Sequence, residues 1–349
     1  MTDALVTKVG RTTLRNPVIA GPSDHFIDDV GVLAAIRTGV GAIVLKSVNE
    51  TQNAKDQLQS AEYLALDENW RPVPWGPDAP RGTTIANRTG LGPQSFEQWL
   101  DQSIRLDREA RRNDIVAVAS IIFADMDHAL KMARQIEQAG IRVLELNIGT
   151  PYAREAKKNT VTTELDPARV ESIVSTVRKA ISIPIWVKTT GQSERVPELA
   201  DAAFRAGADS VIMAGRLLGL IPDVDTFRPM LDTALGIGGY WNLPMTCYWL
   251  SASRAKVGRE KPLIGINGAQ SGLDVARMML AGASAVEIAS AVQMRGYAVL
   301  SEAVAEFARY IAEKRINATD LIGRAADARK TFADMPPKPD NWRNYIPVA

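Results

Sequence analysis

The sequence predicts an α/β fold, a single (β/α)8 TIM barrel with inserted loops at its C-terminal face, and three observations carry that expectation. Short runs rich in Val and Ile alternate with longer amphipathic segments, eight times in order. The runs are continuously apolar, as strands of a parallel sheet are when both faces are buried. No linker composition interrupts the 349 residues, so residues 1–349 are expected as one barrel unit rather than an open doubly wound sheet.

The elements follow in order. Val18 to Gly21 reads as the first strand, with a helical pattern from Ile27 to Thr38. Ala42 to Lys46 is the second, and its helix, Ser95 to Arg112, comes only after a long irregular stretch. Ile115 to Ser120, Val143 to Ile148 and Ile185 to Lys188 are the next three strands, with helices at Asp127 to Ala139, Pro167 to Ile181 and Val196 to Ala206. Ser210 to Ala214 is the sixth, followed by a Gly-rich loop and a helix from Leu243 to Lys256. Leu263 to Ile266 and Ala285 to Ala289 complete the strands, and Gly296 to Lys314 is the closing helix. Two stretches break the rhythm. The insertion 48–86 contains Trp70 to Pro77, too Pro-rich for helix, and loops of that length are usually functional. It is expected to cover the site, with Trp75 as a stiff wall; a surface or subunit-contact loop is the alternative. The tail 335–349 is expected to be an irregular strap.

Composition excludes several classes. Lys+Arg of 41 against Asp+Glu of 40 leaves a net charge of +1, without the basic excess of a nucleic-acid surface. The single Cys247 makes no intramolecular disulfide and cannot supply the roughly four ligands of an iron–sulfur cluster. A reducing, cytoplasmic location is the default reading. The polar first 15 residues do not resemble a signal peptide, and no apolar run approaches the ~20 residues that span a bilayer.

Barrels place their chemistry at the C-terminal strand ends. Those ends are Gly21-Pro22-Ser23, Lys46-Ser47, Asn147 to Pro151, Lys188-Thr189, Gly215-Arg216, Asn267-Gly268 and Ala289-Ser290. Two lysines facing one site require an anionic ligand or nearby carboxylates; otherwise each snorkels at its strand end. The turns after the last two strands offer backbone N–H groups where barrels commonly hold phosphate, although a Gly-containing turn alone is ordinary turn geometry. No metal site is expected.

Glu145-Leu146-Asn147-Ile148-Gly149-Thr150-Pro151 resembles the E-L-N-x-S-C-P segment of the dihydroorotate and dihydropyrimidine dehydrogenases. Asn16-Pro17, Leu45-Lys46-Ser47, Asn87-Arg88-Thr89-Gly90-Leu91, Trp186-Val187-Lys188, Gly238-Gly239 with Pro244, Ile264 to Gly268, Asp274-Val275 and Ala281 to Val286 fall in the same order. The resemblance covers roughly Arg15 to Gly296 and implies an FMN oxidoreductase. It implies FMN across the barrel top, lined by Ala20 and Gly21, with Lys46, Ser47, Ser120 and Lys188 about the ring. Asn87 and Asn147 would bridge cofactor and substrate, and Gly239, Asn267, Gly268, Ala289 and Ser290 would hold ribityl and phosphate. Lys188 would favour the reduced ring by its charge.

The departures are informative. Thr150 stands where the resemblance places a Cys or Ser acid/base, so it either relays the proton with Lys46 and Lys188 beside it or only packs. Gly215-Arg216 replaces a substrate-binding Asn, and Asn267 replaces a glycine. The substrate pocket therefore looks rebuilt, with Asn87, Asn147, Arg216 and Tyr152 as substrate contacts and dihydroorotate itself not expected. Arg216 is either a bidentate carboxylate clamp or a solvated loop residue. His25 is a second catalytic candidate; His128 reads as structural, Cys247 as buried. Tyr240, Trp241, Tyr248 and Trp249 either wall the site or pack. The expected partners are a small polar substrate, heterocyclic or carbonyl-conjugated, reacting at a C–C or C–N bond, and an electron partner. That partner would be a nicotinamide, a second substrate or a separate reductase, with the chain a homodimer. A flavin-free lyase or isomerase acting on a phosphorylated substrate, and a non-catalytic FMN subunit, are the competing readings.

Overall fold

The computed structural model describes residues 3–150, 164–213 and 215–347. The chain opens on a hairpin, β1 (Thr7–Val9) with β2 (Thr12–Leu14), followed by β3 (Val18–Ala20) and β4 (Ala42–Val44). Next come β5 (Glu62–Leu66), β6 (Thr84–Arg88), β7 (Val116–Ile121), β8 (Leu144–Asn147), β9 (Ile185–Lys188) and β10 (Ser210–Met213). The last strands are β11 (Leu217–Gly219), β12 (Leu235–Gly238), β13 (Leu263–Ile266) and β14 (Ala283–Ile288).

Eight of these close into the predicted parallel barrel, β3-β4-β7-β8-β9-β10-β13-β14 and back to β3. Alternate strand residues point to opposite sides, so two apolar layers form. Inside lie Ile19, Val44, Val118, Trp186, Ile212 and Ile264, with Val9 and Leu14 of the hairpin plugging the lower end. Outside, Val18, Ile43, Ala117, Leu146, Val187 and Val211 pack under the helices.

Helix starts obey local chemistry. Ser95 and Gln98 make a reciprocal capping box on Phe96–Arg112, whose apolar stripe buries Trp99, Leu106 and Ala110. Asp125 caps Met126–Gln138, and Asp166 caps Pro167–Ala180 with proline in the first turn. The first helix is shorter than its sequence pattern, Asp29–Ile36, because Asp24–Phe26 forms a separate 3-10 turn and Asp28 caps after it.

The insertion differs from the irregular loop expected of it. β5 and β6 pair antiparallel, β6 pairs β12 and β12 pairs β11, giving a four-stranded sheet outside the barrel. Arg88 fastens this sheet through Glu62 and the carbonyls of Ser60 and Leu231. Trp75 is not a wall of the site: it is 43% exposed and packs edge-on against Tyr63 with ring centroids 6.0 Å apart. The tail does not strap anything down either. Residues 329–340 are exposed throughout, including Phe332 at 99%.

Candidate functional site

The C-terminal ends of the barrel strands and the outer sheet enclose one cavity of about 1260 Å³, counted with its open mouth. Lys46, Ser47, Asn87, Asn147, Thr150, Lys188, Arg216, Asn267, Gly268, Ala289 and Ser290 all line it. Ala20, Gly21, Ser120 and Gly239 are not among the lining residues, whereas Gly238 is. Tyr152 lies outside the described residues.

Each lining group is positioned by backbone chemistry. The Trp99 indole donates to the Lys46 carbonyl at 2.9 Å, fixing the strand end from which the lysine reaches in. Asn147 Oδ1 accepts from Gly149 N at 3.3 Å and from Thr150 Oγ1 at 3.4 Å, so it folds the β8 loop over itself. Gly149 is required there, because a Cβ would sit 2.2 Å from the Thr189 carbonyl carbon. Asn267 has φ 76°, the left-handed region that Asn tolerates better than most side chains, which explains how it replaces a glycine. Its side chain accepts from Asn242 at 3.1 Å, and its carbonyl accepts from Thr246 at 2.8 Å.

The two lysines are answered by carboxylates of the chain. Lys188 Nζ lies 2.7 Å from Glu145 Oε2 and 2.9 Å from Glu287 Oε2, all three buried. Glu145 in turn accepts from Ser120 at 2.7 Å, and Ser120 meets Ser47 at 2.7 Å. A continuous polar network thus crosses β7, β8, β9 and β14 beneath the cavity and reaches Ser47 just beyond β4. Burial works against the Lys188 charge, but Glu145 and Glu287 outweigh it and raise its pKa. Burial pushes the Glu287 carboxyl up to about 7, against the pull of Lys188 and with the repulsion of Glu145.

The second cluster centres on Asp24. Lys46 Nζ donates to Asp24 Oδ1 at 2.5 Å; Asp24 Oδ2 accepts from Tyr63, from Thr89 at 2.8 Å and from Gln293 at 3.2 Å. Burial opposes the Asp24 charge, yet Lys46, Tyr63 and Thr89 hold its carboxyl well below the usual carboxylate range. Burial and the neighbouring Asp24 push the Tyr63 phenol above its ordinary value.

The remaining candidates fall outside the cavity. His25 stands edge-on to Tyr297 at 5.4 Å, with burial lowering its pKa, and is not placed for catalysis. His128 bonds the capping Asp125 at 3.0 Å on the surface, the structural role expected. Trp241 donates to Thr84 at 3.1 Å, while Tyr240 and Tyr248 are exposed; neither these nor Trp249 wall the site. Burial raises the Cys247 thiol to about 11, which leaves it unreactive. Sequence reasoning missed Glu287 in the lining, and Asp24, Tyr63 and Glu145, which pair with lining residues from behind it. Its one signal was that paired lysines require anions, and Glu287 inside the apolar run Ala285 to Ile288 was the residue to examine.

Comparison with known proteins adds the chemistry. A family profile described as dihydroorotate dehydrogenase matches residues 70–311. The chain is 27% identical over 242 residues to the dihydroorotate dehydrogenase B (NAD(+)) catalytic subunit of Methanocaldococcus jannaschii, covering 68% of this chain and 76% of that one. It is 26% identical over 324 residues to the same subunit of Methanocella arvoryzae, 92% of this chain and 97% of the relative. Over 180 residues, 51% of this chain and 60% of the relative, it is 32% identical to the dihydroorotate dehydrogenase A (fumarate) of Lacticaseibacillus paracasei.

Proposed function

The chain belongs to the dihydroorotate dehydrogenase family and is an FMN-dependent oxidoreductase, and on that premise we propose that it oxidises or reduces a C–C or C–N bond of a small heterocyclic or carbonyl-conjugated molecule. The single observation that carries this reading is the convergence of Lys46, Asn87, Asn147, Thr150, Lys188 and Asn267 on one cavity.

The residues fit the cofactor. Ser23 Oγ and Glu287 Oε1 line the cavity, are buried and have no hydrogen-bond partner among the described residues. Buried polar atoms are rarely left so, and a polar ligand supplies the missing partners. FMN supplies the hydride chemistry there.

The chain's own groups do the rest. Asn267, Gly268, Ala289 and Ser290 hold the ribityl and phosphate end, where barrels commonly bind phosphate. Lys188, held rigid between Glu145 and Glu287, presents a fixed hydrogen-bond donor without searching for a rotamer. Asn87 and Asn147 orient the substrate. Thr150 Oγ1, which faces the same cavity, gives or takes the substrate's proton, either directly or through one water. The outer sheet excludes water from the reacting atoms.

Electrons enter or leave through a nicotinamide, a second substrate or a separate subunit, as the NAD(+) and fumarate relatives' names suggest. We place the protein in the cytoplasm on its single thiol, and no described helix is long and apolar enough to cross a membrane. A homodimer belongs to the same proposal.

Anaerobic mixing of the FMN-loaded protein with NADH, NADPH, dihydroorotate and dihydrouracil tests the activity. Bleaching of the flavin by at least one of these is expected, with dihydroorotate not the best. Bleaching by dithionite alone would leave a non-catalytic FMN protein as the better reading.

A further inference from the structure

Among the described residues, the basic side chains that line the cavity are Lys46, Lys188 and Arg216. Lys188 is balanced by two buried carboxylates, and Arg216 already has an interaction of its own. Lys46 is spent on Asp24 at 2.5 Å. The Asp24 pairing is built rather than incidental. Tyr63 comes from β5, Thr89 from just beyond β6 and Gln293 from the helix Ser290–Arg295, and all three converge on the same carboxylate oxygen.

We propose that Asp24 determines substrate class: by neutralising Lys46 inside a largely buried cluster, it makes the cavity prefer an uncharged ring amide to the corresponding ring carboxylate. This rests on the reading that the substrate sits beside FMN in this cavity. A carboxylate entering here loses its water and finds both lysines of the lining already paired with carboxylates, which is costly for a charge. To take Lys46 it must displace Asp24 and leave a buried carboxylate without its cation. An amide or imide ring carries no net charge to desolvate, and its N–H and C=O groups pair with Asn87 and Asn147, both in the lining.

The pairing is tested by ligand binding to the FMN-loaded protein, read by calorimetry and flavin absorbance, with two matched pairs: uracil against orotate, and nicotinamide against nicotinate. Wild type is expected to bind at least one neutral ring, and to bind it about tenfold or more tightly than its carboxylate partner. Asp24→Asn keeps the shape and most of the hydrogen bonds but frees the lysine charge. It should tighten carboxylate binding about tenfold while changing the neutral ring little, and Asp24→Asn/Lys46→Met should abolish that gain. Asp24→Ser serves if the Asn variant does not fold, and the wild-type ratio stands by itself if neither does. Equal or tighter carboxylate binding by wild type, no binding of either neutral ring, or an unchanged ratio in the folded variant would each overturn the proposal. A protein that takes up no FMN, visible before any titration, would instead overturn the reading beneath it.

Discussion

Lys188→Met is expected to destabilise the fold by ~3–5 kcal/mol at pH 8, the usual cost of removing one partner from a buried ion pair. Glu145 and Glu287 both lose their cation, and both are fully buried. The effect should depend on pH with a definite sign. Glu287 has its folded pKa raised above the ordinary 4.5 to about 7 by burial, so its contribution favours the folded state below 4.5 and is lost as pH rises toward 7. Removing the lysine lets that loss continue to higher pH. Denaturant unfolding of the apoprotein at pH 5 and pH 8 checks this, with the larger deficit at pH 8. Lys188→Met/Glu287→Gln, which removes a carboxylate with its cation, should recover part of the deficit. A single variant as stable as wild type at both pH values would mean that the ion-paired network contributes nothing to the fold.

Thr150→Val should lower turnover by about 10²-fold or more with FMN content unchanged, since general acid–base catalysis by a positioned group typically contributes ~10²–10⁴-fold. The substitution keeps the branched shape and removes only Oγ1, whose hydrogen bond to Asn147 is long at 3.4 Å. The loss should appear in kcat more than in KM. Rescue by Thr150→Ser, and a solvent isotope effect that disappears in the Val variant, would separate proton transfer from packing. Wild-type turnover in the Val variant would vacate this position.

The barrel was legible because its strands are continuous apolar runs, such as Ile43-Val44-Leu45 and Val116-Ala117-Val118, that only a two-sided burial explains. The outer sheet was not. Its strands are short, β5 and β6 mix polar with apolar residues, β12 is half glycine, and β6 finds β12 across some 150 residues, a pairing that no local pattern encodes. The plugging hairpin escaped for a similar reason: Thr7-Lys8-Val9 alternates over only three residues. Within the site, the strand-end rule put the lysines and asparagines in the right place. It could not find Asp24, which sits beyond the strand end in a 3-10 turn, nor Tyr63, which belongs to the unseen sheet. Glu145 was read as part of a motif, while its charge, which restrains Lys188, went unread.

The central claim is that the polar strand ends form one flavin site. The most direct measurement is the flavin content of the protein, purified or reconstituted with FMN, by absorbance near 450 nm (roughly, as flavins show) and by release on denaturation. One FMN per chain is expected, with affinity lowered at least tenfold by Ser290→Trp, which fills the end of the cavity proposed for the phosphate. A colourless protein that takes up no FMN, or one whose FMN affinity is untouched by that substitution, would contradict the account.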